Sequence, residues 1–269
     1  MKLNKINIDK PIIVVGDVHG YYNTVVSFIK NNNISNFILL FAGDTGCGFS
    51  SKNSLQVQLQ KLDKICVKNN INVLMLRGNH DDPSYFNTDE PFEFGNIKCI
   101  PDYTLINNEV LCIGGATSID RSFRKRSYEH NKEKYLKYHH DASKLDENVF
   151  KSYWENEQPI YDDEAMTQLK NENILVKHIV SHTCPKFCIP YTKDGIINWL
   201  SHDLTLSKDC DNERNIMTQI YDNIDKSNLK TWTYGHFHFH DEMWVDNVKF
   251  TVLSGILRVN DYVDTLELK

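Results

Sequence analysis

The sequence predicts an α/β fold built on a parallel sheet, and three observations carry that expectation. Short apolar runs alternate with segments of helical spacing from residue 11 to residue 76. Each apolar run ends close to a glycine. Beside each glycine stand carboxylate, imidazole or amide side chains, which is where α/β proteins place their chemistry.

Pro11-Ile12-Ile13-Val14-Val15 is a continuous apolar run ending at Gly16, so it reads as a buried strand that delivers Asp17 and His19. Tyr21 to Asn31 carries Val25, Val26, Phe28 and Ile29, a helix that runs out in Asn31-Asn32-Asn33. Phe37 to Ala42 is the second strand and delivers Asp44. Leu55, Leu59, Leu62, Ile65 and Cys66 fall at helical spacing. Ile71 to Leu76 is the third strand, and Gly78 gives the chain a residue free to turn sharply. An amide, an imidazole and two carboxylates follow as Asn79, His80, Asp81 and Asp82.

Beyond residue 91 the pattern changes. Ile97 to Ile100, Thr104 to Ile106 and Val110 to Gly115 read as short strands added antiparallel, with a hairpin turn at Asn107-Asn108. Residues 121–159 are polar, charged and aromatic. They read as an excursion over the active face, anchored at Tyr153-Trp154, within one domain spanning residues 1–269. Asp162, Asp163 and Glu164 open a helix that reaches about Asn171, since carboxylates suit a helix N-terminus. Ile174 to Val180 is the next buried strand and leads to His182. Arg214 to Ile224 repeats helical spacing. Thr231 to Tyr234 is a strand ending in Gly235-His236-Phe237-His238, and two last strands, Glu242 to Val245 and Val248 to Leu253, flank a turn at Asp246-Asn247.

Bulk composition narrows the function classes. A net charge of -6 argues against a general affinity for nucleic acid or anionic membrane while leaving room for a local basic site. Seven cysteines form an odd set without framework spacing, which points to reduced thiols in a cytoplasm. Cys184 and Cys188 lack the second pair that a structural zinc site needs. The first residues do not form an apolar signal segment, and no run approaches the roughly 18 apolar residues of a membrane helix.

Chemistry-bearing residues collect in five islands: Asp17 to His19, Asp44, Asn79 to Asp82, His182, and His236 to His238. Carboxylate, imidazole and amide oxygen together suit manganese, iron or zinc. Two divalent metals roughly 3.5–4 Å apart can bridge a hydroxide and clamp a reacting phosphate. Asp17 and His19 alternate along an extended segment, so both can face one ion. Singly, Asp17, Asp44 and Asp81 beside glycines read equally as turn residues or caps, and His182 as a core histidine. Their joint order is what carries the reading.

That ordered set, Asp17-Val18-His19, Gly43-Asp44, Gly78-Asn79-His80-Asp81, His182 and Gly235-His236-Phe237-His238, resembles the calcineurin-like metallophosphoesterase superfamily over residues 16–238. The resemblance implies a four-layer α/β/β/α sandwich with two mixed β-sheets flanked by helices. It implies two divalent metal ions, manganese first among them. Asp17, His19, Asp44 and His238 would hold one. Asp44 would bridge to the other, completed by Asn79, His182 and His236. His80 would contact the phosphate or protonate the leaving oxygen, with Asp81 orienting it. His240 continues the alternation and is left out of the set. Cys47 follows Asp44 closely and reads as a small buried hydrophobe.

Protein serine/threonine phosphatases resemble this chain in Leu76-Arg77-Gly78-Asn79-His80, but carry an arginine shortly after the second-block aspartate. Here Asp44-Thr45-Gly46-Cys47-Gly48-Phe49 has none, and Asp81 stands where they have glutamate. Arg121, arriving after Gly114-Gly115, is the candidate replacement grip on phosphate, because an arginine fork matches phosphate oxygens. Lys132, Lys134, Lys137, His139 and His140 interleave with Tyr128, Tyr135 and Tyr138. An amphipathic helix packing its tyrosines on the body is favoured there over a stacking surface for nucleotide or single-stranded nucleic acid. The expectation is a two-metal phosphoesterase acting on mono- or diesters of small or nucleotide-like alcohols. A protein serine/threonine phosphatase and a non-catalytic scaffold are the alternatives.

Overall fold

In the computed structural model, which describes residues 3–138, 151–256 and 263–266, the leading third of the chain alternates strand and helix. It runs β1 (Asn4–Ile6), β2 (Ile12–Val15), α1 (Tyr22–Asn31), β3 (Ile38–Phe41), α2 (Lys52–Lys68) and β4 (Asn72–Met75). Next come β5 (Glu93–Phe94), β6 (Ile97–Cys99), β7 (Thr104–Ile106), β8 (Val110–Ile113), α3 (Arg121–Tyr138) and α4 (Asp163–Asn171). The remainder is β9 (His178–Ser181), α5 (Ile197–Leu200), α6 (Leu206–Asn223), β10 (Thr231–Tyr234), β11 (Asp241–Val245), β12 (Val248–Val252) and β13 (Val263–Leu266).

The strands form two mixed sheets, one of six strands in the order β13-β2-β3-β4-β6-β5 and one of seven in the order β1-β7-β8-β9-β10-β12-β11. Side-chain alternation shows how the layers stack. On β2, β3 and β4, Ile13, Val15, Leu39, Phe41, Val73 and Met75 pack with α1 and α2. Their neighbours Ile12, Val14, Ile38, Leu40 and Leu74 point the other way, into a cluster with Ile106, Val110, Cys112 and Val180 of the seven-stranded sheet. That sheet turns Leu105, Leu111, Ile179 and Trp232 towards α4 and α6. The result is helix, sheet, sheet, helix, as the resemblance implies. A strand buried on both faces has to be apolar throughout, which explains the unbroken runs at 12–15 and 38–41.

Local chemistry sets the element ends. Asp162 caps α4 by accepting from Ala165 N at 3.0 Å, and Ser51 caps α2 through Ser54 N at 3.4 Å. Asn107 and Asn108, with φ of 52° and 55°, turn β7 into β8, and Asp246 and Asn247, at 50° and 65°, make the two-residue turn between β11 and β12.

Several expectations change. β6 pairs parallel to β4 and β8 parallel to β9, so only the β5–β6 and β7–β8 pairs of that region are antiparallel. β9 spans only His178–Ser181: Ile174 N is held by Leu169 O at the end of α4, and bonding to the neighbouring strands begins at Lys177, whose N donates to Glu109 O and whose O accepts from Lys230 N. α6 starts at Leu206, eight residues before its apolar spacing becomes visible, with the buried Glu213 inside that polar first half. The basic, tyrosine-rich run is a helix, α3, in which Tyr128 and Tyr135 are half-buried and Tyr138 is exposed, so none of the three joins the core. His139 and His140 lie outside the described residues. Trp154 is buried and does anchor the end of the excursion. Cys47 is buried in the helix-side core with its Sγ 3.6 Å from Cys99 Sγ, away from metal-ligand duty.

Candidate metal centre

In both sheets, parallel strands end level with one another. Val15, Phe41 and Met75 are in register on β2, β3 and β4, and Ser181 faces Tyr234 across β9 and β10. The residues just beyond those ends therefore meet at one edge, with Asp17, Asp44 and Asn79 coming from one sheet and His182, His236 and His238 from the other.

Asp17, His19, Asp44 and His238 each offer a ligand atom within 4.8 Å of the others. His238 Nε2 lies 2.9 Å from Asp17 Oδ2, His19 Nε2 lies 3.1 Å from His238 Nε2, and His19 Nε2 is 3.8 Å from Asp44 Oδ2. The other oxygen of Asp44 faces a second group. His182 Nε2 is 3.4 Å from Asp44 Oδ1 and 2.9 Å from Asn79 Oδ1. The His182 and His236 rings are 5.1 Å apart.

The tautomer of His182 decides what this second group needs. Its Nδ1 sits 2.8 Å from the Ala42 carbonyl, which can only accept, so Nδ1 carries a hydrogen. In the neutral ring Nε2 is then a bare lone pair aimed at two oxygens. Three acceptors turned on one another call for positive charge between them, supplied by a proton or a cation. The protonation tendencies agree. Burial pulls the His182 imidazolium down, but Asp44 and Asp17 outweigh it and carry it up to about 9. Burial alone would raise the Asp44 carboxyl, yet His80, His182 and His19 bring it well below the usual carboxylate range. Burial and the neighbouring His182 push His236 down to about 3, so its ring is neutral. Among the described residues, the ion-pair partners of the fully buried Asp17 and Asp44 are all histidines. Two buried carboxylates without a lysine or arginine fit a site built for cations.

The backbone is bent to make this geometry. His19, Asp44, His236 and His238 have φ of 47°, 45°, 71° and 56°, the left-handed region that side chains seldom occupy. Close approach explains two glycines. A Cβ on Gly43 would lie 2.2 Å from His182 Nδ1, and one on Gly78 would lie 2.1 Å from both Asp44 N and Oδ1. Gly78 is thus required for lack of space beside Asp44.

His80 reaches the same edge, its Nε2 3.8 Å from Asp44 Oδ2. Burial lowers its basicity, only partly offset by Asp44. Its Nδ1 is buried without a hydrogen-bond partner among the described residues. Asp81 does not orient it. The Asp81 carboxylate accepts from Thr45 N, Thr45 Oγ1, Gly46 N, Cys47 N and Gly78 N at 2.9–3.0 Å, and so fixes the loop behind Asp44. An aspartate three residues past a glycine at a strand end suits that local bonding as well as a dyad, and the sequence does not separate the two. Arg121 is likewise corrected. Its Nε and Nη2 edge is filled by Asp203 at 2.6 Å, Asp209 at 2.6 Å and Thr205 at 2.8 Å, which takes that edge of the fork away from phosphate. The arginine whose charge reaches His80 is Arg124, bonded to Asp120 at 2.8 Å.

Three supporting residues carried no signal in sequence. Arg77 is buried; it bonds Asp102 at 2.8 Å and the Glu157 carbonyl at 2.7 Å, clamping the excursion's return beneath the site. Glu157 there accepts from Ser118 N at 2.8 Å and Ser118 Oγ at 2.7 Å. Glu213 accepts from Thr183 Oγ1 at 2.8 Å and from Thr117 N. Each pairing spans tens of residues, and no spacing rule reaches that far.

A cavity of about 640 Å³ opens beside the ligand edge. Its lining includes the polar Asp44, Asn79, His80, His236 and His238 and the apolar or aromatic Tyr191, Ile196, Trp199, Phe237 and Phe239.

The calcineurin-like phosphoesterase family model matches residues 10–240. No curated protein matches the sequence. Among solved structures, a dimetal phosphatase from Danio rerio is similar at 11% identity and a TM-score of 0.47, covering 95% of this chain and 91% of its own. A protein serine/threonine phosphatase from Saccharomyces cerevisiae is similar at 17% identity and a TM-score of 0.38, covering 94% and 70%. The phosphopantetheinyl hydrolase PptH from Mycobacterium tuberculosis is similar at 11% identity and a TM-score of 0.38, covering 96% and 97%. None of these likenesses bears on the substrate. The family match takes in every predicted ligand from Asp17 to His238, and on it this chain belongs to the calcineurin-like phosphoesterases, metal-dependent hydrolases of phosphoric esters.

Proposed function

We propose that this chain is a two-metal phosphoesterase acting on mono- or diesters of small, nucleotide-like alcohols. The observation that carries the reading is the placement of Asp44. One of its oxygens faces the Asp17, His19 and His238 group and the other faces His182 beside Asn79, as a bridging carboxylate must. The carboxylate, imidazole and amide donors fit manganese, with iron or zinc as alternatives. Two such cations would supply an acidified water and offset charge on the phosphoryl oxygens.

The chain's own residues do the rest. His80 Nε2, at the mouth of the group, holds the proton for the leaving oxygen. Asp81 keeps the 44–47 loop in place by its backbone bonds. Ser118, held by Glu157 of the excursion, sets the Asn79 amide. All seven cysteines are unpaired thiols, in keeping with a cytoplasmic setting. No described helix is long and apolar enough to cross a membrane.

The test is metal content and turnover together. The wild-type protein should take up two manganese ions per chain and hydrolyse p-nitrophenyl phosphate or its diester. Asp44→Asn should lose metal and turnover together, because one residue serves both ions. Full activity after exhaustive chelation, or in Asp44→Asn, would overturn the reading.

A further inference from the structure

The 640 Å³ cavity beside the ligand edge lies within the range that holds a small organic ligand, and a bare phosphoryl group would not fill it. Tyr191, Ile196 and Trp199 come to it from the connection between β9 and α6, and Phe237 and Phe239 from the loop that carries His236 and His238. Tyr191 is 67% exposed and Trp199 half-buried, so aromatic surface stands open to an incoming group.

Charge on this wall is largely spent inside the protein. Lys193 bonds Asp211 at 2.5 Å and Ser207 Oγ at 2.9 Å. Asp120 is taken by Arg124 at 2.8 Å. Arg214 gives its fork to the carbonyls of Pro190, Pro185 and Cys188, and Glu213 accepts from Thr183 and Thr117. Lys186, which is exposed, and Arg214 are lining cations without a carboxylate partner among the described residues. Aromatic faces of this kind favour a flat ring system, with Lys186 and Arg214 leaving positive charge beside them for an ester that also carries phosphate.

We infer that this wall is a specificity site for a nucleobase or a ring of similar size on the alcohol side of the phosphoester, with Trp199 as its stacking face. The inference rests on the phosphoesterase reading for the orientation of the substrate, phosphoryl group to Asp44 and His80, ring to Trp199.

Two ligands that differ only by the base separate ring recognition from recognition of the phosphoryl sugar. They are the hydrolysis-resistant methylene phosphonates of a nucleoside 5′-phosphate and of ribose 5-phosphate. Calorimetry on the manganese-loaded full chain should show the nucleoside compound binding roughly tenfold or more tightly, the usual worth of one base–aromatic stack. Trp199→Ala should shrink that ratio to under about threefold, and Trp199→Phe should restore most of it. A ratio near one in the wild-type protein overturns the inference, as does a large ratio that Trp199→Ala leaves intact. Binding needs no turnover. A chain that prefers the nucleoside compound yet hydrolyses no ester would therefore sink the phosphoesterase reading alone. Brisk hydrolysis with equal binding would sink only the base site.

Discussion

Asn79 donates its amide nitrogen to Ser118 Oγ at 2.9 Å, and this bond decides which end of the amide faces the candidate metals. The Ser118 hydroxyl donates onward to Glu157 Oε2 at 2.7 Å, so Asn79 Oδ1 is left to point at His182. A chain of three side chains, drawn from three separate stretches of sequence, thereby sets one ligand atom.

Ser118→Ala removes the acceptor that holds the amide. The expected outcome is a loss of roughly 10–100-fold in affinity for one of the two proposed ions, the usual cost of removing a group that orients a ligand. Titration with manganese under competition from a chelator measures it. Affinities within twofold of wild type for both ions would contradict the role given to Ser118.

His80→Ala should lower turnover by ~10²–10⁴-fold while leaving metal content unchanged, the range expected for a lost proton donor. Metal analysis of the purified variant beside its initial rate gives both quantities. Loss of metal in this variant would move His80 into the ligand set.

Glu157 gives a pH signature. Burial raises its carboxyl to about 8 against the bonds from Ser118, well above an exposed glutamate. The folded state therefore holds this proton more tightly than the unfolded chain. Its contribution to stability is complete below the unfolded value of 4.5 and is lost as pH climbs through about 8. Glu157→Gln, a neutral side chain of the same shape, should gain melting temperature over wild type between pH 5 and pH 8. An unchanged difference across that window would show that Glu157 ionises freely in the fold.

Arg77 is 1% exposed and paired with Asp102, which is 4% exposed. Arg77→Ala leaves that carboxylate buried without its cation and takes the Arg77 bond from the Asn156, Glu157 and Gln158 carbonyls. A cost of about 3–5 kcal/mol follows for breaking a buried pair. Denaturant unfolding measures it directly.

Much of the fold was readable because burial on both faces leaves strands such as Ile12–Val15 no choice but to be apolar. The residues gathered at the candidate site were readable for a related reason: they follow those runs directly, so locating a strand end locates its candidate ligand. β1 and β13 were missed, being three- and four-residue edge strands that complete sheets whose central strands carry the pattern. Asp81 and Arg121 were placed correctly in the chain and wrongly in chemistry. Their partners, five donors in two loops for one and Asp203 and Asp209 for the other, follow from tertiary packing that local spacing does not encode. Glu157 and Ser118 stayed hidden for the same reason.

His19, Asp44, His236 and His238 sit in a backbone conformation that glycine would adopt at lower energy. A laboratory search for heat-resistant variants that scored survival alone would be drawn towards glycine at these four positions. It would return tougher proteins with an empty edge where the cations belong. Any effort to harden this chain therefore has to screen for retained metal binding in the same round as for melting temperature.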